Sequence, residues 1–188
     1  MKGYGIGGWS LVLGSFAFLI FWGTAPTSVD ETIPWVVALA VHGMSIVLLS
    51  IGLVLTARDV TLSIVGSRVT RAGAAVAIAG LLTVFPLIPL GIGIFAIGLV
   101  LVERDRIGAV VATAGSLVLL ATYALGARVG MEDAPELSDV LRVAFQGSVL
   151  LIAIGLVIVG SGEMRRVQRA SVSRAMSSTG ARRDQVER

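Results

Sequence analysis

Charge in this chain is confined to short connectors and a terminal segment, and the six strongly apolar stretches left between them fix its solvent. A helix needs about 20 apolar residues to cross roughly 30 Å of hydrocarbon, and stretches of that size recur here with no acidic or basic side chain in their middles. With 55% hydrophobic residues and a mean hydropathy of +0.91, there is too little polar surface to cover a soluble globule. The sequence therefore predicts an all-α integral membrane protein.

Four spans read directly, at about 5–24, 34–56, 107–126 and 140–160, the second opened by Pro34 and the last preceded by Pro135 with Asp133 as an N-cap. The first stretch looks like a signal peptide, but Pro26 beside its small-residue site disfavours cleavage, so it is expected to stay as a span. The uncharged stretch from Ala72 to Val102 is too long for one comfortable crossing and short for two. Pro86 and Pro89, followed by Gly91 and Gly93, break it in the middle, because proline removes a backbone donor and disfavours helix in the residue before it.

Arginine placement selects between a hairpin and one kinked helix. A hairpin puts Lys2, Arg58, Arg68, Arg71, Arg104, Arg106 and the arginines from Arg165 to Arg188 on one side, leaving only Arg128 and Arg142 on the other. A kinked helix would export the arginine-rich C-terminal segment, against the positive-inside bias. The expectation is thus six transmembrane helices as three helical hairpins, with both termini cytoplasmic. Trp22, Trp35 and Tyr123 then fall at the outer interface and Tyr4 at the inner one. Residues 1–162 form the bundle and residues 163–188 a basic cytoplasmic tail. Within it, Arg165, Arg166, Arg169 and Arg174 are expected to meet lipid or a partner, with Glu163 to Met176 as an amphipathic helix on anionic head groups and the end disordered.

Two of the hairpins look alike. Arg71 to Leu82 and Arg106 to Leu117 share eight of twelve positions, and Ala96-Ile97-Gly98-Leu99-Val100 matches Ala153-Ile154-Gly155-Leu156-Val157. Repeated hairpins build some transporters, but short identities also arise by composition in a chain this rich in Ala, Gly, Leu and Val. Gly73 with Ala77, and Gly108 with Ala112, are spaced to let helices approach closely, so they are read as packing faces.

Chemistry is sparse. The absence of cysteine and the single histidine, His42, leave no thiolate site, zinc centre or bis-histidine haem. No catalytic motif is present, and no catalytic, cofactor or metal residue is assigned. The net charge of +3 and pI near 10.2 reflect topology, not a nucleic-acid footprint. His42 and Ser45 on the second span, Ser116 on the fifth and Gln146 on the sixth are the polar candidates. They suit hydrogen bonding across helices or a small-solute site with His42 as proton carrier. The expected function is a non-catalytic membrane subunit that packs or scaffolds within a larger assembly. Its partners are membrane lipids and other membrane subunits or a second copy, in the cytoplasmic membrane of a prokaryote, given one Lys against fourteen Arg. The alternative is a small-solute transporter or channel built from repeated hairpins.

Overall fold

The computed structural model describes residues 5–28, 35–60, 63–129 and 135–186, and every element among them is helical. These are α1 (Ile6–Ser28), α2 (Trp35–Arg58), α3 (Ile64–Leu82), α4 (Leu87–Leu101), α5 (Arg106–Val129) and α6 (Pro135–Val186). Four of them contain stretches long and apolar enough to cross a membrane: Val36–Arg58, Ile64–Leu82, Arg106–Arg128 and Asp139–Ser173. Two further apolar stretches, Ile6–Trp22 and Leu87–Leu101, are shorter. The protein is consistent with a helical, membrane-embedded chain. Lys2, Tyr4, Asp30, Glu31, Pro34 and Asp133 lie outside the described residues, as do the side chains of Trp35 and Arg174.

Local chemistry sets the helix ends. Ser63, in an extended conformation, caps α3 by accepting a hydrogen bond from the Gly66 amide at 3.3 Å. Pro86 and Pro89 divide the long apolar stretch as expected: α3 stops at Leu82, and α4 starts with Pro86 as its N-cap. Pro89 falls in the first turn of α4, where its missing N–H would have had no intrahelical partner. The 15 residues of α4 span only about 22 Å.

Each helix packs on the next in chain order, and α6 closes on α1. Glycines set the approach. A Cβ on Gly66 would meet Val102, one on Gly73 the Phe95 backbone, one on Gly91 the Ala77 backbone, and one on Gly80 the Ile88 backbone. As α3 residues advance, their α4 partners recede, so the two helices run antiparallel. Gly8 of α1 meets Gly160 of α6 backbone to backbone, and Gly108 meets Gly155 between α5 and α6. These are small-residue contacts of the kind that substitute for hydrophobic driving force in lipid. Large apolar side chains fill the interior between them, with Leu11, Phe18, Leu49, Leu53, Phe95, Leu99, Leu119, Ile152 and Leu156 fully buried.

The two similar hairpin sequences pack in different registers. Gly155 lies against Ala112, whereas its counterpart Gly98 lies against Thr70, seven residues before Ala77, the counterpart of Ala112. Seven residues are two helical turns, about 10 Å along the axis. The tight turn Thr83 to Pro86 shortens the α3–α4 pair and carries α4 out of the register that α5 and α6 adopt.

At 52 residues, α6 extends about 78 Å. It passes through residues 162 and 163 without interruption and continues to Val186. The sequence reading expects a separate surface segment from Glu163 and disorder from Ser177. No proline follows Pro135, and the glycines at 160 and 162 are used for packing, so nothing breaks the helix where the apolar stretch ends.

Candidate functional site

The polar candidates are distributed across a bundle whose far end is closed by aromatic rings. His42 on α2 stacks on Phe21 of α1, with ring centroids 4.2 Å apart and planes at 26°, and meets Trp22 edge-on at 5.9 Å. Trp22 in turn lies 4.4 Å from Phe85, which the α3–α4 turn inserts toward the bundle axis. Phe85 stacks on Phe145 of α6 at 5.7 Å and approaches Tyr123 of α5 at 6.3 Å. His42 thus enters the structure first as a flat ring in a stack, each such contact worth about 0.5–1.5 kcal/mol beyond burial. Its Nδ1 and the Trp22 indole nitrogen are buried without a hydrogen bond.

Ser45 and Ser116 are fully buried, and neither hydroxyl has a hydrogen-bond partner. Ser116 faces Gly93 of α4, where a Cβ would come within 3.3 Å of its own Cβ. Gln146 is half-buried on α6 and engages a partner of its own. Other described hydroxyls turn back onto their own helices: Ser15 on the Leu11 carbonyl at 2.6 Å, Thr70 on Gly66 at 2.7 Å, Thr113 on Ala109 at 2.8 Å. These bonds go to the carbonyl one turn earlier, which a β-hydroxyl reaches without help from a neighbour. None of the four candidates lines the cleft among α1, α2 and α6 beside Thr56 or the groove along α6 beside Arg169.

The opposite end holds a charged cluster that sequence reasoning missed. The α4–α5 turn contributes Glu103, Arg104 and Asp105, with Glu103 and Asp105 in the left-handed region at φ 57° and 49°. Arg104 is 9% exposed and Glu163 of α6 is 6% exposed. The Arg104 Nη2 donates to Glu163 Oε2 at 2.5 Å, and its Nη1 donates to the Asp59 carbonyl at the end of α2 at 2.8 Å. One guanidinium therefore ties α2, the α4–α5 turn and α6. Arg166 contacts Asp105 at 3.4 Å and the other Glu163 oxygen at 3.6 Å. Burial raises the Asp105 carboxyl above its ordinary value, while Arg166, Arg104 and Arg165 pull it down. Gly162 makes room for that carboxylate, since a Cβ there would lie 2.0 Å from Asp105 Oδ1.

Of the tail arginines, Arg166 is half committed to this cluster. Arg165 and Arg169 are exposed and flank a shallow groove with Gln168 and Val172. The cluster had a signal in the sequence: Asp105 and Glu163 are carboxylates set close beside Arg104, Arg106, Arg165 and Arg166. Among the described residues, no group of histidines and carboxylates could hold a metal ion. No protein-family model matches the chain, and no curated protein or solved structure matches it either.

Proposed function

We propose that this chain is a non-catalytic multi-span membrane subunit that packs within a larger membrane assembly. In this reading it crosses the bilayer six times as three hairpins, with both termini cytoplasmic. The arginine asymmetry supports that topology, as does the antiparallel packing of α3 on α4, which a single kinked helix would not make. The observation that carries the subunit reading is the reach of α6. Its 52 residues exceed a roughly 30 Å hydrocarbon core more than twofold, and the part beyond Val167 projects Arg169, Val172 and Ser173 into the open. A continuous helix of that length, longer than its own bundle needs, suits a surface made for another chain.

The rival reading, a small-solute transporter, draws on the unpartnered hydroxyls of Ser45 and Ser116 and on His42 Nδ1. It has less support, because the His42 ring is occupied by Phe21 and Trp22. Photo-crosslinking groups at Arg169 and Val172, activated in intact membranes, test the proposal. Discrete protein adducts at both positions are expected, and adducts to lipid alone would overturn it.

A further inference from the structure

Helix α3 turns one face to α4 and the other outward. Gly66, Gly73 and Gly80 lie against α4, and on the opposite side steps of four and three residues align Ile64, Arg68, Arg71, Ala75, Ala79 and Leu82 on one exposed stripe. Two arginines on an otherwise apolar, lipid-facing stripe are costly unless something receives their charge. The two-turn difference between the hairpins reappears here. Arg106 stands at the first residue of α5, whereas its counterpart Arg71 lies two turns inside α3, about 10 Å from Ile64. Arg68 lies about 6 Å in, and the uncharged remainder of α3, from Ala72 to Leu82, spans only about 16 Å.

Among the described residues, neither guanidinium has an ion pair or a hydrogen bond. Helices α3 and α4 carry no carboxylate, and those at the adjoining bundle end are placed elsewhere. Asp59 lines the cleft among α1, α2 and α6 together with Arg58, Glu103 pairs with Arg106 at 2.6 Å, and Asp105 and Glu163 face Arg166 and Arg104. The stripe therefore holds two uncompensated positive charges. A long arginine side chain lays its stem on apolar surface and lifts its head toward the interface, where phosphate oxygens match the guanidinium fork in pairs. The shortness of the hairpin adds to this, because α4 spans about 22 Å against a hydrocarbon core of roughly 30 Å. The bilayer beside it thins and brings head groups toward the arginines.

We infer that Arg68 and Arg71 hold the head group of an anionic phospholipid against α3. Two positive charges with no carboxylate beside them favour a head group of net negative charge over a zwitterion, whose own ammonium they repel. Ala75 and Ala79, small and exposed, continue the stripe inward and leave the helix flat enough for an acyl chain to lie on it. The site requires only that α3 lie in the bilayer, whichever side its start faces, and is independent of the subunit reading.

The test is native mass spectrometry of the full-length protein released from detergent, titrated with phosphatidylglycerol or with phosphatidylcholine of the same chains. Wild type should retain one phosphatidylglycerol most tightly. Arg68→Gln and Arg71→Gln should each weaken its retention about fivefold, on the scale of one basic residue at an anionic surface, and leave phosphatidylcholine unchanged. The double variant should hold that lipid no better than phosphatidylcholine, and Arg71→Lys, which keeps the charge and the reach, should preserve it. Arg165→Gln with Arg169→Gln should leave the lipid in place; its loss there instead would assign it to the α6 extension and overturn the site. Both side chains on α3 are exposed, so their variants should melt with wild type in lipid-free detergent; lower melting there would mean that the arginines serve the fold and would also overturn it. Equal retention of the two lipids by wild type, phosphatidylglycerol retention unchanged in the double variant, or loss of a bound protein instead of lipid from it, overturns the site as well.

Discussion

Replacing Glu163 by Ala removes the carboxylate that Arg104 holds and leaves a guanidinium, 9% exposed, with only the Asp59 carbonyl among its described hydrogen bonds. Breaking a fully buried pair from one side costs about 3–5 kcal/mol, because the remaining charge is buried and uncompensated. This pair sits at the end of the bundle with about a tenth of each side chain exposed, and Asp59 keeps one contact. The expected loss is therefore about 2–3 kcal/mol for Glu163→Ala and similar for Arg104→Ala. Replacing both, as Arg104→Met with Glu163→Leu, removes the uncompensated charge along with the attraction and should cost less than either alone. Unfolding in mixed micelles, titrated with sodium dodecyl sulfate and followed by tryptophan fluorescence, gives all three values. With Arg104→Met and Glu163→Leu also made singly to close a double-mutant cycle, a coupling above about 1 kcal/mol is expected for groups in direct contact. Additive losses within about 0.3–0.5 kcal/mol would show that the pair is not coupled and would refute the cluster as a tie between helices.

Four further outcomes follow from the packing and burial of single residues. Burial holds the Asp105 carboxyl above its ordinary value of 3.8, so the folded protein takes up this proton more readily than the unfolded chain. Its contribution to stability should rise as pH falls through the folded value and be complete below 3.8; melting curves of Asp105→Asn should lose that part of the pH dependence. Gly91→Ala places a Cβ 2.0 Å from the Ala77 amide and should cost at least about 1–3 kcal/mol by forcing α3 and α4 apart. Gly43→Ala, with nothing within 4 Å, should be neutral or stabilising by up to about 1 kcal/mol in the same titration. His42→Phe should keep the stack on Phe21 and melt near wild type, whereas His42→Ala should lose about 0.5–1.5 kcal/mol; a reversed order would show that the imidazole nitrogens, not the ring face, matter.

The helical content and the break at Pro86 and Pro89 were legible because hydropathy and proline act locally. The close-packing roles of Gly73 and Gly108 were legible too, since small residues four apart on a lipid-solvated helix have little other use. The register between helices was not, because it depends on the length of the turns: Gly98 meets Thr70, whereas its counterpart Gly155 meets Ala112. Likewise, residues 45 positions apart (Asp59 and Arg104) and 59 apart (Arg104 and Glu163) meet through a shared bundle end. Nothing in their separation along the chain announces that. The continuation of α6 past Gly162 was missed for a different reason. The change from apolar to basic composition marks where the solvent changes, and a helix need not stop there.

The subunit account stands most directly on the mass of the particle that leaves the membrane. The full-length protein should be extracted with its surrounding lipid in a membrane-excising polymer and weighed by mass photometry beside a version ending at residue 167. The account predicts a full-length particle heavier than one chain and its lipid, and a truncated one reduced to the single-chain particle. A full-length particle of single-chain mass, unchanged by the truncation, would contradict it.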